Sequence, residues 1–133
     1  MPQTAPELLL LGCAVIIGIV QLMWAAGAAR GQQDLKWAGG PRDEPKPPLT
    51  GVAGRLDRAL RNFLETFPLF AAALLAAYLA GKLGSTTLWG AGLYVAGRAV
   101  YVPLYAAGVP IIRSMVWGVS MVGLLMVTAA IFL

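Results

Sequence analysis

The chain has no histidine, and its single cysteine, Cys13, stands alone in an apolar run. Without imidazole there is no histidine general base and no histidine metal site, and no Cys or His cluster supports a bound metal. One thiol cannot close a disulfide within the chain, and in an apolar run it is expected to be buried and inert. Charge is scarce too: 12% of residues are Asp, Glu, Lys or Arg, where soluble domains carry about 25%. The net charge of +4 is spread along the chain, not gathered in a basic patch, so nucleic acid is not an expected partner. The first residues lack basic side chains, which argues against a secretory signal and for a retained first helix.

What fills the space is apolar: 59% of the 133 residues are hydrophobic. That composition predicts an all-α integral membrane protein of one domain, its surroundings lipids. At about 20 residues per span, the apolar runs predict a bundle of four transmembrane helices at about residues 8–29, 51–80, 85–107 and 110–133. Gly39-Gly40-Pro41 and Pro45-Lys46-Pro47-Pro48 break the intervening stretch, which is expected to be a polar loop over 30–50 without regular helix. Thr50 is the expected N-cap of the second helix. Ala73, Ala77 and Gly81 recur every fourth residue there, a small-residue stripe suited to close packing in lipid. The first loop and its flanks hold Arg30, Lys36, Arg42, Lys46 and Arg55, whereas the turn after the second helix holds Lys82. The excess of basic residues predicts a cytoplasmic loop, with the N- and C-termini on the non-cytoplasmic side.

Polar residues concentrate at the cytoplasmic end of these helices. Arg55, Arg58, Asn62 and Glu65 share a face of the second helix, and Arg61 lies one turn before Glu65. Arg98, Tyr101 and Tyr105 share a face of the third, where Pro103 is expected to kink the helix. Counting back from the third helix's cytoplasmic end puts Arg98 about 12 Å deep. The fourth helix opens with Arg113 and Ser114. Any one arginine could snorkel to the headgroups, Arg55 most readily as an interfacial anchor, and Arg61 could pair with Glu65. Arg98 is too deep for the first explanation and has no acid on its helix. Glu65 cannot balance Arg58, Arg61, Arg98 and Arg113 alone, so the surplus calls for an anionic ligand. Guanidinium suits carboxylates, and Glu65 could hold an ammonium on the same molecule.

These motifs carry a family resemblance. Arg58-x-x-Arg61-Asn62-x-x-Glu65-Thr66-x-Pro68, with Gly97-Arg98-x-x-Tyr101-x-x-x-Tyr105 and Pro110-x-x-Arg113-Ser114, resembles the membrane-associated proteins in eicosanoid and glutathione metabolism, the MAPEG family. The loop from Asp34-Leu35-Lys36-Trp37 to Arg42-Asp43-Glu44 is most similar to its uncharacterised bacterial branch. The resemblance implies a homotrimer of four-helix bundles with glutathione as cosubstrate between subunits. It implies a glutathione-dependent transferase or peroxidase acting on apolar electrophiles. On matching positions Arg58, Arg61, Asn62, Glu65, Arg98, Tyr101 and Tyr105 would bind glutathione, and Arg113 or Ser114 would stabilise its thiolate. Some members have histidine where Leu60 and Tyr101 stand, and tyrosine where Trp117 stands. The bacterial inner membrane is the expected location. A non-catalytic member binding a lipid or another anion is the alternative. A small exporter of cationic drugs fits poorly, because an arginine-rich cavity repels cations.

Overall fold

The computed structural model describes residues 3–33, 35–45 and 48–133; Asp34, Lys46 and Pro47, each part of the loop reading above, lie outside them. The described chain is helical: α1 (Pro6–Arg30), α2 (Leu35–Gly39), α3 (Gly51–Leu79), α4 (Ser85–Ala106) and α5 (Pro110–Phe132). Three of these, α1, α3 and α5, are long and apolar enough to cross a membrane. At about 1.5 Å per residue, the 22 residues of α4 also have the length, but Thr87, Tyr94, Arg98 and Tyr101 make it more polar. Those four side chains are buried, because α4 packs against α1, α3 and α5 together.

The loop departs from expectation. Leu35, Lys36, Trp37 and Ala38 precede the glycines and prolines, so nothing prevents a short helical turn there, and α2 forms. Arg42 caps it: Nε and Nη2 donate to the Ala38 carbonyl at 3.0 and 2.9 Å, and its guanidinium lies over the Trp37 ring. Trp37 Nε1 in turn donates to the Glu44 carbonyl. Thr50 occupies the N-cap position of α3 without a side-chain cap. Gln32 serves the junction instead, donating from Nε2 to the Thr50 carbonyl and accepting the Thr50 N–H at Oε1, both at 2.9 Å. One amide thereby ties the end of α1 to the start of α3.

The remaining connections are tight. Gly81 and Gly108 have φ of 70° and 77°. Each sits just past a helix end where Lys82 N–H reaches Ala77 O and Val109 N–H reaches Leu104 O, the bonds of a glycine-terminated helix. Gly81 is thus part of a turn; of the small-residue stripe only Ala73 and Ala77 are buried. Both Pro68 and Pro103 lie inside helices that continue past them.

Packing relies on small residues and a narrow seam. Along α1 the buried side chains are Glu7, Ala14, Gln21 and Ala25, while the flanking Ile16, Ile19, Val20 and Met23 are exposed. Cys13, expected in the interior, falls beside this seam on the exposed side. Seven-residue spacing admits one position per two turns, and neighbours of the seam face outward. At the far end of the seam, Glu7 accepts a hydrogen bond from Thr87 Oγ1 at 2.8 Å, which joins α1 to the start of α4. Mid-bundle, Phe70 stacks on Tyr94 at 4.0 Å within a core that includes Leu74, Leu124 and Val127. α4 and α5 approach through Gly90, Gly97 and Gly123. A Cβ on Gly97 would come within 2.9 Å of Ser120 Cβ, and one on Gly123 would collide with the Gly90 carbonyl and stand 2.7 Å from Tyr94 N.

Gly123→Ala is expected to destabilise the detergent-solubilised protein by about 1–3 kcal/mol through overpacking. Gly92, with nothing within 4 Å of a built Cβ, should respond oppositely, Gly92→Ala stabilising by about 0.5–1 kcal/mol as in other helix interiors. Thermal melts of the two variants distinguish these signs.

Candidate functional site

α3, α4 and the first turns of α5 enclose a cleft of about 260 Å³ lined by Arg58, Asn62, Tyr101, Tyr105, Arg113, Ser114 and Trp117. Its parts come from helical spacing. Arg58 and Asn62 are one turn apart on α3, Tyr101 and Tyr105 one turn apart on α4, and Arg113 and Trp117 one turn apart on α5. Of the residues expected at a site, the cleft gathers Arg58, Asn62, Tyr101, Tyr105, Arg113 and Ser114.

The aromatic rings organise the charges. Tyr101 and Tyr105 lie 5.6 Å apart at 60°. Arg113 sits 4.5 Å from the centre of the Tyr105 ring. Arg58 approaches the same ring at 5.9 Å and donates from Nε to the Tyr105 hydroxyl at 3.2 Å. Such cation–ring contacts hold guanidinium groups without neutralising them. Among the described residues no carboxylate lines the cleft, so these residues present a cationic, hydrogen-bond-donating surface.

Arg98 is not part of that lining. It is 0% exposed, the largest fully buried side chain, and lies behind the cleft wall. Its Nη1 donates to Asn62 Oδ1 at 2.8 Å, and the guanidinium rests 4.4 Å from the Tyr101 ring and 5.5 Å from the Phe63 ring. A guanidinium can only donate. The Asn62 atom facing it must therefore be the oxygen, which leaves the Asn62 NH₂ for the cleft. Arg98 thus acts through Asn62.

Arg61 and Glu65 lie elsewhere in the single chain. Both are exposed, and with Asp57, Leu60 and Leu64 they line a separate shallow depression on the outer side of α3. Arg61 pairs with Asp57 at 3.4 Å, not with Glu65. The acid then precedes the base by four residues, the better orientation on a helix. Arg55 is more than an interfacial anchor: its Nε donates to the Ala106 carbonyl at 2.9 Å, satisfying the C-terminal end of α4. Ser114 Oγ donates to the Pro110 carbonyl at 3.3 Å, so Arg113 is the better-placed donor for a bound anion. Sequence reading did not assign Trp117 to the site, although it stands four residues after Arg113 and so on the same face of α5.

A family model described as MAPEG family matches residues 10–133. No curated protein and no solved structure matches the chain.

The bond between Arg98 and Asn62 should appear as a coupling energy. In a double-mutant cycle with Arg98→Met and Asn62→Leu, the interaction is expected at about 1.5–3 kcal/mol, the range for a hydrogen bond to a charged group. Additive melts of the single and double variants would show that the two side chains do not meet.

Proposed function

The chain belongs to the MAPEG family, and from that premise and the cleft's geometry we propose that it is a glutathione-dependent transferase or peroxidase for apolar electrophiles. The observation that carries this reading is the cleft itself: two guanidinium groups and an oriented Asn62 amide, with no carboxylate among the lining residues. Such a surface suits a molecule with two carboxylates. Arg58 and Asn62 would bind them, Arg58 by charge and Asn62 by its NH₂ donors, with the Tyr101 and Tyr105 hydroxyls as further donors. Bound there, glutathione supplies a thiol nucleophile that attacks an electrophilic carbon as the leaving group departs with its electron pair, or reduces a hydroperoxide. Arg113 would hold the sulfur as thiolate, since a neighbouring cation favours the charged form.

The proposal extends to the assembly. Family membership is the support for a homotrimer, in which a neighbouring subunit would complete the cleft. The exposed Arg61 and Glu65 on the outer side of α3 suit that junction, where Glu65 could take the ammonium of glutathione. We further propose that α4 crosses the membrane with α1, α3 and α5, buried polar side chains being tolerated inside a bundle. The cleft then faces the cytoplasm and both termini the other side, in a bacterial inner membrane.

A second reading is a non-catalytic member that holds a lipid headgroup or another anion. The Ser114 hydroxyl is engaged with its own backbone and the chain has no histidine, which leaves the cleft a good anion receptor with little machinery for proton transfer.

Titrating glutathione into the solubilised protein while following thiolate absorbance separates the two. For the enzyme, wild type forms the thiolate and conjugates a model electrophile. Arg113→Ala retains binding within a few-fold but loses the thiolate signal, and Arg58→Ala or Asn62→Ala weakens binding about 10–100-fold. Absence of both binding and conjugation in wild type would remove the transferase reading.

A further inference from the structure

Arg98 carries a charge that no described residue balances. The guanidinium is fully buried, and among the described residues it makes one hydrogen bond, to Asn62, and no ion pair; Nε and Nη2 have no partner. Its nearer ring contact is Tyr101, with the ring centre 4.4 Å away, against 5.5 Å for Phe63. A ring face attracts a cation without neutralising it. A cation buried there favours negative charge on the group beside it, because opposite charges attract more strongly where water is excluded.

That neighbour has a proton to give. Tyr101 is 4% exposed and lines the cleft. Its hydroxyl makes no hydrogen bond among the described residues, yet the sealed, unpaired side-chain atoms there belong to Gln21 and Arg98. The Tyr101 hydroxyl is therefore open, and it opens to the cleft. The other lining groups are committed. Arg58 and Arg113 do not give up protons. Ser114 Oγ donates to its own backbone, and the Tyr105 hydroxyl receives the Arg58 Nε–H. The Tyr105 ring lies against Arg58 and Arg113, the two cations that bound glutathione would neutralise. Arg98, sealed from the ligand, keeps its charge.

Resting on the glutathione reading, we infer that Tyr101 is the catalytic proton donor to a leaving oxygen, with Arg98 the positioning charge behind its ring. The substrate class follows: an electrophile that expels an oxygen anion, such as an apolar organic hydroperoxide. The glutathione thiolate beside Arg113 attacks the terminal peroxide oxygen. A sulfur–oxygen bond forms, the oxygen–oxygen bond breaks, and its electron pair leaves on the alkoxide. Tyr101 Oη passes its proton to that alkoxide, giving the alcohol and a phenolate that Arg98 stabilises. The proton released when the thiol ionised returns to Tyr101. The sulfenic acid reacts with a second glutathione to give the disulfide and water, so sulfur is oxidised and the peroxide reduced.

The test compares two electrophiles at saturating glutathione, with the full-length protein in lipid nanodiscs. Cumene hydroperoxide expels an alkoxide that needs a proton; a chlorodinitrobenzene expels chloride, which does not. Tyr101→Phe keeps the ring and removes a hydroxyl that has no partner, so it is expected to fold as wild type does. Its hydroperoxide turnover is expected to fall about 100-fold or more, the loss of a general acid, while conjugation of the dinitrobenzene and the thiolate signal stay within a few-fold. In Arg98→Met the ratio of hydroperoxide to dinitrobenzene turnover is expected to fall as well, where a merely structural role would lower both alike. Equal losses with the two electrophiles in Tyr101→Phe, or undiminished hydroperoxide turnover, would overturn the inference and leave the glutathione reading standing. So would a wild type that conjugates the dinitrobenzene but reduces no hydroperoxide. Wild type that binds no glutathione would remove that reading, and this inference with it.

Discussion

A guanidinium buried away from water has to be stabilised by whatever the surrounding helices offer, and Arg98 is offered one amide oxygen and two aromatic faces. Desolvating a cation costs several kcal/mol. Ring faces in a dry setting return about 2 kcal/mol, and the hydrogen bond to Asn62 about 1.5–3 kcal/mol. Nε and Nη2 have no partner among the described residues, so the arrangement is tolerated, not optimised. Its consequence is directional. With Arg98 on α4 and Asn62 on α3, the two helices are registered at that level, and the Asn62 amide can turn only one way. The cleft's donor surface depends on that orientation.

The same helix allows the rest of the bundle to close. α4 carries glycines where α5 crosses it and bulky aromatic residues where α3 does, so backbones meet on one side and rings interdigitate on the other. In lipid, where apolar side chains gain little by hiding from the solvent, close backbone approach and interhelical hydrogen bonds supply the specificity. Thr66 with Tyr94, Glu7 with Thr87, and Arg55 with the Ala106 carbonyl are bonds of that kind, spaced from one end of α4 to the other. One helix thereby supports the cleft as well as its neighbours α1, α3 and α5.

Helix positions were legible because hydrophobic run length and turn residues report them directly. The long helices start and end within a few residues of expectation. That Arg58 and Asn62, and Tyr101 and Tyr105, would share faces was legible as well, since residues four apart on a helix do so whatever they pack against. That Trp117 joins them, and that Arg61, Glu65 and Arg98 stand outside the lining, was not. The five-residue helix α2 was missed because glycine and proline density was read over the whole loop, when these residues act only on their immediate neighbours. The bond made by Arg55 was not legible for a different reason: its partner is a main-chain carbonyl 51 residues away, and no local pattern marks such an acceptor.

The sequence by itself determined that this is a helical membrane protein, and its motifs pointed to the family that the chain belongs to. Composition, run length and periodicity are properties of the chain before it folds. Only the tertiary structure decided which arginine faces what. It placed Arg58 and Arg113 in the cleft, put Arg98 behind it, and left Arg61 on the outer side of α3. Identical side chains on neighbouring turns differ by the rotation of the helix and by what the adjacent helix presents. Those quantities exist only once α3, α4 and α5 have packed.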